Sequence, residues 1–228
     1  MIYLYSLLTI VAFALAIQIN KRLKSVVLNT FVLSVLILVI VLLSAKVPYD
    51  TYMQGNAPLN NLLGVSVVAL ALPLYEQLHQ IRQNWQKILL ITITASLLSM
   101  FSGAILAMIL GAQPDMVATL LPKSVTTPIA MAISENLGGI PAVTAVGVVV
   151  AGLQGSMFGY LILKKLNIRY FQAIGLSMGA VSHALGTVSC MENDQRAGSY
   201  SSVSLVLCGI ISSLLAPLVF QLVYMLMK

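Results

Sequence analysis

Charge is scarce in this sequence. Asp, Glu, Lys and Arg make up 8% of its 228 residues, where soluble domains carry about 25%, and that deficit excludes a soluble globular protein. Acidic residues are the scarcest, six against twelve Lys and Arg, for a formal net charge of +6. The surplus falls in short stretches between apolar runs, so it belongs to loops and gives no reason to expect nucleic acid. Only two cysteines occur, Cys190 and Cys208; they lie in apolar or small-residue segments without metal-type spacing and read as packing residues. No metal-ligand pattern or nucleophile–base arrangement is evident, so neither a cofactor nor an enzyme is expected. The pair Ser182-His183 is adjacent in sequence, and neighbours on a helix do not face each other. Long linkers and low-complexity tracts are missing too; the longest loop is 46–60.

What is abundant is apolar sequence, 59% of residues with a mean hydropathy of +0.98. A helix needs about 20 apolar residues to cross a hydrocarbon core. The first run, 2–19, is followed by Lys21, Arg22 and Lys24 with no small-residue cleavage site, and reads as a membrane helix rather than a cleaved leader. Five further runs meet or approach the standard: 26–45, 61–75, 88–110, 140–163 and 199–227. The run 61–75 is short and contains Pro73, so a tilt or break is expected there. The segments 116–138 and 173–190 are instead rich in Gly, Ser, Thr and Pro.

Basic residues accumulate in cytoplasmic loops. The strongest positive loops are 21–24 and 164–169, with three basic residues each; Arg82 and Lys87 add a weaker one. Placing all three inside puts the N-terminus and 111–115 outside. Span 140–163 then runs inward, which requires 116–138 to make no net crossing, while 173–190 dips in from the cytoplasmic face and returns. About ten residues per limb, at about 1.5 Å each, reach mid-bilayer. The expected fold is an all-α integral membrane protein with about six full transmembrane helices and two discontinuous or re-entrant helical hairpins. Its "span, hairpin, span" units are opposed like the inverted repeats of secondary transporters. The chain reads as a single transmembrane domain, 1–110 mainly scaffold and 111–228 a substrate-binding unit. Unwound helices that do cross remain the alternative.

Non-helical backbone survives in a bilayer only inside protein or beside a water-filled cavity. In "LPKSVTTPIAMAISENLGGIPA" (121–142), Pro122, Pro128 and Pro141 each remove a donor, and Gly138-Gly139 adds a permissive joint. A helix starting near Thr127-Pro128 presents free amides and a positive dipole end. Ser124, Thr126 and Thr127 add hydroxyls and Lys123 a full charge. Together they fit a small organic anion such as a carboxylate. The plainer reading has the hydroxyls capping the helix and Lys123 snorkelling to the interface; both stand at this point. Glu135, the one carboxylate of this segment, is either a coupling group for a proton or cation or a residue at the aqueous end of a limb.

In the second segment Gly175, Gly179 and His183 are spaced by four and share one face of a helix, with Ser182, Gly186 and Thr187 repeating the hydroxyl-plus-glycine chemistry and Gly186 as the expected helix break. An intramembrane histidine is a functional candidate and can change charge near neutral pH; the alternative is a neutral His183 packed against a hydroxyl. Ala151, Gly155 and Gly159 form a small-residue stripe for internal packing or for a homodimer seam. Glu76, His79 and Arg82 read as a solvated polar loop, and Asp115 after Pro114 as a helix-start residue.

"LPKSVTTPIAMAI" (121–133), "GGIPAVTAV" (138–146) and "SHALGT" (182–187) resemble the signature of the LrgB/CidB family of bacterial membrane proteins, and "ALPLYEQLHQIR" (71–82) is similar to one branch of it. The likeness covers most of the chain, from about residue 46 onward. It implies a multi-pass protein of the bacterial inner membrane. It also implies two functions: an antiholin-like regulator of murein hydrolase export and autolysis, or a pore subunit, acting with a small LrgA/CidA-type partner; or a carrier of small organic acids such as pyruvate or glycolate. The residue chemistry favours the carrier, with Ser124, Thr126 and Thr127 facing Ser182, His183 and Thr187, Lys123 attracting the anion and His183 coupling a proton. One departure concerns an arginine that relatives often carry shortly after the Ser-His motif: here Ser189 stands there, and the substrate range is expected to differ accordingly.

Overall fold

The computed structural model describes residues 3–23, 30–69, 72, 75 and 78–226. Lys24, Pro73 and Glu76, on which parts of the sequence reading fell, lie outside them. The molecule is 87% helical with no strand among the described residues, which makes it an all-α membrane protein. The chain forms two compact units, Met1–Leu72 and Pro73–Lys228.

The first unit holds α1 (Leu4–Leu23), α2 (Thr30–Ser44), α3 (Tyr49–Gly55) and α4 (Ala57–Ala69). α1 has the length and apolarity of a full span, whereas α2 and α3 meet at a 120° bend. The expected loop 46–60 is therefore largely helical. Pro48 stands at the start of α3 in extended backbone, where its fixed φ favours helix initiation. Polar contacts then hold α3 on α1: Thr9 Oγ1 lies 2.9 Å from the Tyr52 hydroxyl, and Ser6 Oγ donates to the Gly55 carbonyl at 3.2 Å.

The second unit holds α5 (Leu78–Ile109), α6 (Pro114–Leu120), α7 (Thr127–Asn136), α8 (Pro141–Lys165), α9 (Phe171–Asn193) and α10 (Gln195–Leu226). α5 groups here with the hairpins rather than with the scaffold to which the sequence reading assigned it. Long apolar helices form α5, α8 and α10. Segment 116–138 breaks into α6 and α7 at Pro122 and Pro128, and it leaves and returns at one level. Ile140 N donates to Thr119 Oγ1 at 2.8 Å, and Thr144 Oγ1 donates to the Thr119 carbonyl at 3.0 Å. A chain whose ends meet in this way makes no net crossing.

α9 is apolar and long enough to span, yet it folds back at His183, where φ is +41° and ψ −133°. Gly186 faces the Met178 carbonyl, so the limbs lie side by side. Gly175 packs on Ala197 and Met191 on Gly198, both near the start of α10. The break falls at His183 and not at Gly186, which sits inside the returning limb. The helix break also corrects the shared face expected for Gly175, Gly179 and His183. The two glycines pack on α10 through the carbonyls of Ala197 and Ser201, while the imidazole turns to Gly152 on α8.

The hairpins approach α8 from opposite ends. The first closes on Ile140 and Thr144; the second starts beside Leu163 and Ile168 and reaches Val148 with its tip. Ile88, Phe171, Leu176 and Tyr200 pack together, as do Leu163, Ile168 and Phe171. Arg82, Lys87, Lys164, Lys165, Arg169 and Arg196 therefore share one end of this unit, and Asp115 lies at the other. At the basic end Arg196 pairs with Asp194 at 3.2 Å and lies 4.8 Å over the Phe171 ring. Its hydrogen bonds hold the Asp194 carboxyl below the usual carboxylate range. On the positive-inside bias this is the end expected in the cytoplasm. A cysteine at Lys165 is expected to react with an impermeant thiol reagent only in inside-out vesicles; labelling in intact cells would reverse the orientation.

Candidate functional site

Lys123 is the starting point, because an ammonium group away from the membrane surface is costly. Its Nζ donates to the Ser99 carbonyl at 3.0 Å and lies 3.4 Å from Ser99 Oγ. Ser99 lies ten residues before the end of α5, about 15 Å along the helix axis. Gly103, one turn on, leaves the space that the lysine stem occupies. Snorkelling to the interface is thus not what the side chain does. Ser99 Oγ also meets Ser124 Oγ at 2.6 Å, so one serine of α5 seats both the lysine and the neighbouring hydroxyl of the first hairpin tip.

These groups line a cavity of ≈ 890 Å³ between α5, α8 and the second hairpin. Its walls include Lys123, Ser124, Ser99, Ser102, Gln154, Gly155, Phe158, Met178 and Ser182. Lys123 is the only charged residue among them, and among the described residues the only ion pair is that of Arg196 with Asp194. Lys123 therefore brings a positive charge with no carboxylate beside it into a mostly apolar space. Small-ligand pockets typically have apolar walls and a few placed polar groups, within about 300–1,000 Å³.

Of the residues named from sequence, Lys123, Ser124 and Ser182 come together in this cavity. Thr126, Thr127, His183 and Thr187 do not line it. Thr126 stands at the N-cap of α7 in extended backbone but makes no side-chain capping bond, and its buried Oγ1 has no partner among the described residues. The capping reading therefore fails at Thr126. His183 Nε2 lies 2.9 Å from the Val148 carbonyl; a carbonyl only accepts, so this nitrogen carries the hydrogen. Thr187 Oγ1 donates to the His183 carbonyl and meets Ser201 Oγ, each at 2.9 Å. Both side chains thus brace the strained tip. Glu135 is exposed at the last turn of α7 and does not line this cavity. No metal-ligand cluster exists among the described residues.

The small-residue stripe on α8 is an internal packing face. Gly155 abuts Ser182 and Gly159 abuts Met178, with Gly152 against His183. Sequence reading missed Ser99, Ser102 and Gln154. The available signal was "SMFSG" at 99–103, two hydroxyls and a glycine inside an apolar span.

No solved structure matches the chain. An uncharacterized protein of Haemophilus influenzae is 67% identical over 223 residues, covering 98% of this chain and 96% of the relative. The protein YxaC of Bacillus subtilis is 39% identical over 95% of this chain and 94% of its own length. The Holin-like protein CidB of Staphylococcus aureus is 32% identical over 96% of this chain and 95% of its own length. The LrgB-like family matches residues 9–222, and the chain accordingly belongs to that family.

Proposed function

We propose that the chain carries small monocarboxylates, such as pyruvate or glycolate, across the bacterial inner membrane. The observation that supports this most is the Lys123 ammonium, without a carboxylate partner among the described residues, in a cavity between two re-entrant hairpins. A carboxylate bound there gains a charge-assisted hydrogen bond, with Ser124 and Ser182 as hydroxyl donors and apolar wall for the methyl or methylene group. Two broken segments on opposite sides of one site are the arrangement that alternating access uses. His183 and Thr187 act as positioning residues for the second tip, and His183 is the nearest group for proton coupling. No step of this reading calls for bond chemistry, and no enzymatic activity is proposed.

The name of the S. aureus relative, Holin-like protein CidB, favours a second reading, a holin-like subunit, for which the family resemblance suggests a small LrgA/CidA-type membrane partner. The two differ in saturation. Uptake of labelled pyruvate and glycolate into proteoliposomes, with and without such a partner, is expected to saturate and to fall at least tenfold in His183→Ala. A leak that rises linearly with concentration and ignores the substitution would overturn the carrier in favour of the pore. The small-residue stripe is used up inside the unit, so a homodimer, if formed, uses another face.

A further inference from the structure

A second cavity, of ≈ 380 Å³, lies between α7 and α10 and shares no lining residue with the first. We propose that it binds a monovalent cation, and that its role as the coupling ion rests on the carrier reading above.

Pro217 sits inside α10 and has no N–H to offer the carbonyl of Ser213, one turn earlier. In a membrane helix a carbonyl released in this way needs another partner. Ser213 and Pro217 both face the cavity, which brings the released oxygen to its wall. Across from them stand Ile133, Asn136 and Leu137, the last turn of α7 and its C-cap. α7 is a ten-residue half-helix whose last carbonyls are partly used. Those of Ile133, Ser134 and Glu135 accept from the N–H groups of Leu137, Gly138 and Gly139. Ile140 N turns to Thr119 and Pro141 has no N–H, which leaves the carbonyls of Asn136 and Leu137 at the negative end of the helix dipole. The Asn136 amide oxygen is uncommitted to any hydrogen bond among the described residues. No Lys, Arg or His lines the cavity, and no Asp or Glu does either.

Neutral hard oxygens without carboxylates suit sodium or a similar monovalent ion. Calcium and magnesium are held by carboxylates, and softer metals by imidazole or thiolate. In transporters built on discontinuous helices, half-helix C-termini and freed carbonyls are the places where sodium binds. The same hairpin carries Lys123 at its tip, so a cation drawing α7 onto α10 and an anion on Lys123 would settle the hairpin together.

The test is the unfolding temperature of the purified full chain in detergent, in sodium, potassium or choline chloride at equal ionic strength. Sodium is expected to raise it saturably over choline. Pro217→Ala, which returns an N–H to the Ser213 carbonyl, and Asn136→Leu are each expected to weaken the apparent sodium affinity tenfold or more while unfolding cooperatively. Equal temperatures in all three salts for the unsubstituted chain would overturn the site. So would a sodium shift that both variants leave intact. Uptake assayed beside it separates the two proposals. A sodium shift without uptake of any acid leaves the site standing and removes the carrier. Saturable uptake without a sodium shift does the reverse.

Discussion

Lys123→Met is expected to abolish saturable uptake of a monocarboxylate while leaving the protein folded and at least as stable. Methionine keeps the unbranched stem that packs against Gly103 but removes the charge, and with it the donor to the Ser99 carbonyl. Removing one partner of a desolvated, hydrogen-bonded charge pair typically costs about 2–5 kcal/mol, roughly 30-fold or more in apparent affinity. Stability moves the other way, because an ammonium without a carboxylate beside it is a burden to the empty protein. The decisive comparison sets uptake kinetics against thermal unfolding in the same preparation. Unchanged uptake with a lowered unfolding temperature would make Lys123 a structural pin for the first hairpin and remove the ground for the carrier reading. Ser99→Ala is expected to act in the same direction with a smaller effect, since the Ser99 carbonyl remains to hold Nζ.

Gly179→Ala is expected to cost most of the folded protein. The added methyl would meet the carbonyl, carbonyl carbon and Cα of Ser201, all backbone of α10. A backbone neighbour cannot swing aside, so the limb must lift away. Overpacking of this kind costs about 1–3 kcal/mol, occasionally more, and here it also strains the contact between Thr187 and Ser201 that braces the tip. Gly147→Ala is the control: its methyl would meet only the end of the Leu120 side chain, at 3.3 Å. Size-exclusion profiles and unfolding temperatures in detergent should separate the two variants. Equal behaviour would mean that the second hairpin does not sit on α10 as described.

The first hairpin was legible because its breaks are made by residues whose backbone chemistry is local. Pro122, Pro128 and Pro141 have no N–H to give a preceding turn, so none prolongs a helix that comes before it. Pro128 and Pro141 suit the first turns of α7 and α8, and Gly138 takes φ +79° where the chain turns back. The positive loops told the same story independently, since their count works only if 116–138 makes no crossing. The second tip was harder to place. It turns at His183, a residue with no intrinsic preference for φ +41°, held there by the Val148 carbonyl and by Thr187. The Val148 carbonyl comes from α8, and Thr187 is itself seated by Ser201 of α10; local propensity does not register such contacts, so Gly186 drew the assignment instead. The helical content of 46–60 escaped for a related reason, since a seven-residue helix pinned by Tyr52 and Gly55 to α1 has little periodicity of its own. Lys123, Ser124 and Ser182 stood out as polar groups in apolar surroundings. Their partner Ser99 did not, because a serine in a membrane helix commonly bonds back to its own helix.

The closure of the first hairpin on α8 also bears on how the chain is made. Synthesis proceeds from the N-terminus at about 5–20 residues per second, so α6 and α7 are complete before α8 exists. Until Ile140 and Thr144 have emerged, the hydroxyl and carbonyl of Thr119 lack the partners that receive the returning chain. The nascent segment thus has to be sheltered, by the insertion machinery or by water, until the first turn of α8 arrives. A nascent chain halted with its emerged part ending between residues 137 and 144 would be at its most vulnerable to proteolysis, and one halted with the first turns of α8 also outside the ribosome would not.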